Sequence, residues 1–353
     1  MKAIVKDAEI LVCVGTGGVG KTTIAAALGA MAAEEGRKVI VLTIDPAQRL
    51  KTTLGLPDTG EIQDLQHPRI KGRMAAALIN SKRTFDDFVL RAASKSERAK
   101  KILENKLYIQ LSTTLSGSQE FTALEKLCTV HESGEFDLII LDTPPSKHAM
   151  DFLKAPEKLS ALFQERITKW FRDSEKGSVR FLTGLFQVGT KQVIKALELL
   201  TGSEFMTELA DFFGTIHSWQ ARLEARTKQV HQLLVQPKTQ FFLVCSYDRA
   251  KLSEAHRFGR EIRKGGYHLK NVILNRAYPD WLPELGAKAV PSTPAGQMAN
   301  DWRDYYKRRR QDSSPLAELK KLNIRVFELQ EMSEDIHDLD GVFKLVDRMK
   351  EAR

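Results

Sequence analysis

A glycine-rich loop set between an apolar run and an alanine-rich helix constrains this chain more than any other feature. Glu9–Val14 (EILVCV) reads as a short strand, Gly15–Gly20 as a loop, and Lys21–Glu35 as a helix ended by Gly36. Lys38–Ile44 is a second apolar strand, closed by Asp45-Pro46. Strands apolar on both faces must be covered on both faces, and a strand–helix–strand unit of that kind belongs to a parallel sheet. Further strands read at Met74–Ile79, at Phe136–Leu141 ending on Asp142, at Gln240–Ser246, at Asn271–Asn275 and late in the chain at Ile324–Leu329. Helical patterns cover Phe85–Lys106, Glu120–Val130, Ser253–Lys264 and Gly341–Glu351. The expected fold class is α/β, a doubly wound, mostly parallel sheet.

The stretch between Asp142 and Gln240 is far longer than one crossover helix needs. Leu159, Leu162, Phe163, Ile167, Trp170 and Phe171 recur at three- and four-residue spacing. Phe205, Leu209, Phe212, Phe213 and Ile216 do the same behind a capping-box pattern from Thr201 to Glu204. The predicted organisation is a core in two parts, 1–150 and 238–353, with an inserted α-helical subdomain over 151–237. Its aromatic rows read first as that subdomain's own core, and second as the lining of a groove.

The loop Gly15-Thr16-Gly17-Gly18-Val19-Gly20-Lys21-Thr22 fits the spacing GxxxxGK[ST]. Glycines let such a loop turn its backbone N–H groups toward an anion, and the helix behind it adds a positive N-terminus. Lys21 supplies a mobile positive charge for the outer phosphates, and the Thr22 hydroxyl is a hard ligand suited to Mg²⁺. ATP and Mg²⁺ are the cofactors expected. The candidate nucleotide contacts are Gly15, Gly17, Gly18, Val19, Gly20, Lys21, Thr22 and Thr23. Asp142 and Asp45 each end an apolar strand at the carboxyl edge of the sheet, where ligands gather in open α/β folds. Either alone reads equally well as a cap or turn residue; beside this loop both become candidate metal-site carboxylates. The fold type expected is that of the P-loop nucleotidases.

Composition adds exclusions. No apolar run approaches the ~18 residues of a membrane span. The opening MKAIVKDAEILVCV has no apolar export signal with a cleavage site. Three cysteines, Cys13, Cys128 and Cys245, cannot pair off completely and none sits in a CxxC spacing. Cys13 and Cys245 fall inside strands and read as small core residues, so a reducing, cytoplasmic setting is expected. The net charge of +9 fits either an acidic partner surface or a solvated face rich in lysine and arginine. The densest run, Lys307–Arg310, follows Trp302, Tyr305 and Tyr306 at about helical spacing. That spacing predicts packed aromatics with the cations in water, which disfavours nucleic acid. Phe343, Val346 and Met349 suggest a peripheral surface contact, opposed by acidic Glu334, Asp335 and Asp338 just upstream.

Three segments together, GTGGVGKTT, TIDPAQRL and LDTPPSKHAMDFL, resemble the ArsA family of ATPases, deviant-Walker-A proteins. FFLVCSYDRAKLSEAHR and VILNR extend the similarity. The resemblance implies that Asp45 orients the attacking water and, with Lys21, is catalytic. It implies that Asp142 opens the second switch segment, and that Asn275 bonds the adenine edge. It also implies a dimer, identical or paralogous, with the insertion offered to a hydrophobic protein client. The chain departs from the family at Thr16, where a lysine normally reaches the partner's nucleotide; Arg49 or Lys147 is the candidate substitute. DPAH becomes Asp45-Pro46-Ala47-Gln48, and Met206 stands nearly alone in the insertion, whereas a pliable client groove favours methionine. An arsenite site needs three converging thiolates, so a pump role is disfavoured. A partition or positioning ATPase, acting on DNA or a membrane surface, is the alternative.

Overall fold

The computed structural model describes residues 1–44, 60–92, 118–143, 220–277, 293–311, 324–332 and 334–352, with a few isolated positions between them. The predicted helices around Leu159–Phe171 and Phe205–Ile216 lie outside the described residues, as do Asp45, Gln48, Arg49 and Lys147. The chain divides into two compact units. Met1–Asn80, Lys126–Leu153 and Gln232–Arg353 make the first, and Ser81–Glu125 with Lys154–His231 the second.

The described strands are β1 (Ile10–Gly15), β2 (Lys38–Thr43), β3 (Gln63–Leu65), β4 (Arg73–Leu78), β5 (Leu138–Asp142), β6 (Thr239–Ser246), β7 (Leu269–Ala277) and β8 (Arg325–Gln330). They form one sheet in the order β3-β4-β2-β5-β1-β6-β7-β8. Every pairing is parallel except β3 with β4. β1, β5 and nearly all of β2 and β6 are buried along their length, as expected of strands covered on both faces. The helices, in chain order, are α1 (Lys2–Asp7), α2 (Lys21–Glu34), α3 (Ser81–Ala92), α4 (Ser118–Ser133), α5 (Gln220–Val235), α6 (Arg249–Lys264), α7 (Pro294–Gln311) and α8 (Leu339–Glu351).

α2 is buried almost all round, which explains its run of alanines. One side lies on the sheet, where a Cβ at Gly29 would come within 2.7 Å of Val41 Cγ2. The other side meets α1 and α8. Small side chains let these layers close to contact distance. Gly36, at φ 93°, ends the helix as expected, in a left-handed turn that other residues resist. Arg37 then donates to the carbonyls of Val5, Ala8 and Asp137, tying the end of α1 to the start of β5.

Two expectations about helix faces are reversed. Phe343, Val346 and Met349 are buried, because α8 lays this face on α2, so they are core rather than surface contacts. Trp302 and Tyr305 do lie on a helix, yet about half of each is exposed; nothing is described of the Tyr306 side chain. Helical spacing shows that residues share a face but not what the face meets. Among the described residues, no helix is long and apolar enough to cross a membrane.

In the second unit, Phe85 and Phe88 of α3 meet Phe121 of α4 edge-on, with centroids 6.2 and 5.1 Å away. Glu125, buried, is held by Arg91 at 2.9 Å and Arg226 at 2.7 Å.

Candidate active site

Register brings the site together. Cys13 and Thr43 both stand opposite Asp142, and Gly15 stands opposite Val244, so the ends of β1, β2, β5 and β6 reach one edge of the sheet. Thr16–Gly20 then cross to α2. A Cβ on Gly15 would lie 2.2 Å from the Val244 carbonyl oxygen. A Cβ on Gly20 would lie 2.4 Å from Asn275 Nδ2, and its φ of 85° is left-handed as well. These two glycines are therefore required by the neighbouring strands, beyond any need to approach phosphate. Gly17 and Gly18 form the exposed tip, while Val19 is buried beneath it.

Lys21 is buried, and its Nζ donates to the Thr16 carbonyl at 3.0 Å, folding the ammonium back over the loop. The Thr16 side chain is also buried, and its hydroxyl makes no hydrogen bond among the described residues. Thr22 Oγ1 donates to Asp142 Oδ2 at 2.6 Å, and Thr43 Oγ1 donates to the same oxygen at 3.0 Å. Thr23, one residue along α2, is half-buried. Thr143 continues the line of β5 through its N–H and hydroxyl, both donated to the Cys13 carbonyl.

Electrostatically, α2 is distinct. Gly20 caps it without a side chain, and its first turn contains no acidic residue. α6 and α8 are capped by Asp248 and Asp338, whose carboxylates accept from Lys251 N and Gly341 N. The positive end of α2 is thus left to interact with an external anion. The residues fit a triphosphate with a divalent cation: a lysine over a glycine loop, a bare helix N-terminus, and hydroxyl and carboxylate oxygens, the hard donors that magnesium prefers.

The family resemblance gives Asn275 the adenine edge; in this structure its side chain contacts the phosphate loop. Nδ2 donates to the Val19 carbonyl at 2.9 Å, so β7 braces the loop directly. Next to it, Arg276 has a φ of 55°, unusual for a long side chain, at a register shift between Asn275 and Ala277. Thr43 was missed by sequence reasoning; its only signal was its position at the end of β2, two residues before Asp45. Cys13 and Cys245 are buried, as expected of core residues. Burial, reinforced by nearby Asp142, holds the Cys13 thiol well above its ordinary value, and burial pushes Cys245 up to about 12.

The sequence matches the ArsA-type anion-transporting ATPase family model over residues 8–288. The chain belongs to this family. It is 24% identical over 268 residues to the putative arsenical pump-driving ATPase 2 of Aquifex aeolicus, covering 75% of this chain and 79% of that protein. Over 269 residues it is 24% identical to ATPase ASNA1 homolog 2 of Paramecium tetraurelia, covering 75% of each chain. It is 24% identical to ATPase get3 of Schizosaccharomyces pombe, over 75% of this chain and 72% of that one. As an ArsA-type ATPase it hydrolyses ATP, and the loop and strand ends above lie inside the matched residues.

Proposed function

We propose that this ATPase binds Mg·ATP at the Gly15–Thr23 loop and acts as a dimeric, nucleotide-driven switch in the cytoplasm. The observation that carries this reading is the buried triad of Thr22, Asp142 and Thr43 hydrogen-bonded below Lys21. Lys21 holds the outer phosphates; Thr22 and Asp142 hold the magnesium, and Asn275 keeps the loop in place from β7. Bound magnesium neutralises charge that develops on the phosphates. Asp45, two residues beyond Thr43, orients the attacking water, as the family resemblance implies.

Asp142 leads directly through Thr143-Pro144-Pro145 into the predicted insertion, so a change at the triad has a short path to a client-binding element. The client is a hydrophobic protein segment, as the resemblance to the ArsA family implies. Arsenite transport does not suit this chain: its described thiols are buried core groups. Positioning on DNA loses its motive at the last helix, whose apolar face is buried on α2. The test is ATP turnover in Lys21→Ala and Asp142→Asn, together with crosslinking to an apolar helical peptide with and without ATP. Undiminished turnover defeats the site; equal silence of the peptide in both states defeats the client.

A further inference from the structure

β2 is apolar and buried from Val39 to Leu42 and then ends on a threonine. Thr43 is buried as well, and a valine of the same shape would suit both the strand and the burial. A hydroxyl there costs desolvation unless it is hydrogen-bonded, and its bond goes to a carboxylate of the candidate site. Thr43 Oγ1 donates to Asp142 Oδ2 at 3.0 Å, and Thr22 Oγ1 reaches the same oxygen from α2 at 2.6 Å. Thr43 and Asp142 stand opposite each other in register, so the bond joins adjacent strands. The Thr43 backbone is held too, its carbonyl accepting from Ile79 N at 2.8 Å. Thr143, next after Asp142, donates its N–H and its hydroxyl to the Cys13 carbonyl. Asp142 is therefore fixed from three elements: its side chain from α2 and β2, and the backbone that follows it from β1.

We infer that Thr43 is a positioning residue for magnesium, acting through Asp142 and touching neither the metal nor the nucleotide. The inference rests on the metal site proposed above and adds the group that orients its carboxylate. A carboxylate turns easily about its last side-chain bond, and serving a cation requires that rotation to be stopped. Thr22 is poorly placed to stop it alone. A hydroxyl has one proton and two lone pairs, and in the proposed site the lone pairs of Thr22 go to the cation, so its position follows the metal. Thr43 instead stands on a strand that is paired on both sides, β4 on one and β5 on the other. A donor on so rigid an element holds Oδ2 whether the site is full or empty. Its place at the end of an apolar strand, where only the hydroxyl distinguishes it from valine, is the signature of that duty.

The experiment is ADP binding to the full chain by calorimetry, as magnesium is titrated and again in EDTA. In the wild type, magnesium is expected to tighten ADP binding. Thr43→Val should raise the half-saturating magnesium concentration about tenfold, the low end for a group that supports a metal ligand, with ADP affinity in EDTA within about twofold of wild type. Thr43→Ser keeps the hydroxyl and should bring the magnesium response back near wild type. Should Thr43→Val fail to fold, Thr43→Ala carries the same two expectations. If wild-type binding ignores magnesium, the metal site itself falls and this inference with it. If the wild type responds and Thr43→Val matches it, the inference alone falls. Equal losses with magnesium and in EDTA overturn it too, as does Thr43→Ser behaving like Thr43→Val, since either result marks a residue that merely shapes the strand end.

Discussion

The two ends of α2 are built on opposite rules. At its start, Gly20 offers no capping side chain and the first turn no carboxylate, so the chain leaves the positive end unmatched. At its finish, the helix has no basic residue of its own in the last turn, and cations arrive from elsewhere. Arg69 reaches Glu34 at 2.9 Å and Asp347 at 2.6 Å, while Lys350 of α8 reaches Glu34 at 2.7 Å. Arg69 also lies over the Phe343 ring, on which His67 stacks. One end is completed by the protein itself and the other is left for a ligand. A helix end that the chain declines to compensate, when it could have, marks the functional end.

If this division holds, substitutions at the two ends separate into losses of turnover and losses of stability. The largest effect is expected at the open end. Lys21→Ala should cut ATP turnover about 10³-fold, roughly 4 kcal/mol of barrier, with the thermal midpoint nearly unchanged. At the closed end, Phe343→Ala should cost about 3–4 kcal/mol of stability in denaturant titrations, because it opens a cavity between α8 and α2. Its turnover, measured where the protein is folded, should stay near wild type. Arg69→Ala should cost about 1–2 kcal/mol by the same titration, for it breaks a network rather than one exposed pair. Asn275→Ala removes the brace on Val19 at 2.9 Å and should weaken nucleotide binding by about 1 kcal/mol, read as a several-fold rise in Kd.

Acidification gives the smallest and most local effect. Burial alone would raise the Glu34 carboxyl, yet hydrogen bonds from Lys350 and Arg69 outweigh it and hold the group below its ordinary value. The hydrogen bond from Arg69 likewise holds Asp347 down against partial burial. Carboxyls depressed in the folded state contribute stability above their unfolded pKa, and that contribution disappears as pH falls through the folded value. Thermal midpoints should therefore decline below about pH 4, and less steeply in Arg69→Ala. An equal slope in both proteins would separate this ion-pair network from the acid response.

The open end of α2 was legible in the sequence because its chemistry is local. The loop spacing, Lys21, Thr22 and the strand end at Asp142 are read from contiguous residues, and hydrophobic runs located the main strands of the sheet. The closed end was not legible, since Arg69, Glu34, Asp347 and Lys350 come together only when α8 folds back on α2. α1 and β3 were missed for another reason: six- and three-residue elements carry too little periodicity to register. The face of α8 was misjudged for a third reason: an apolar stripe specifies a contact without naming the partner, which for α8 is α2.

Isothermal titration of purified protein with ADP and magnesium tests the central claim most directly. The account predicts saturable uptake near one nucleotide per chain in the wild type and in Arg69→Ala, with uptake abolished or greatly weakened in Lys21→Ala. Folded wild-type protein that takes up neither ADP nor ATP, or Lys21→Ala that binds as tightly as wild type, would contradict it.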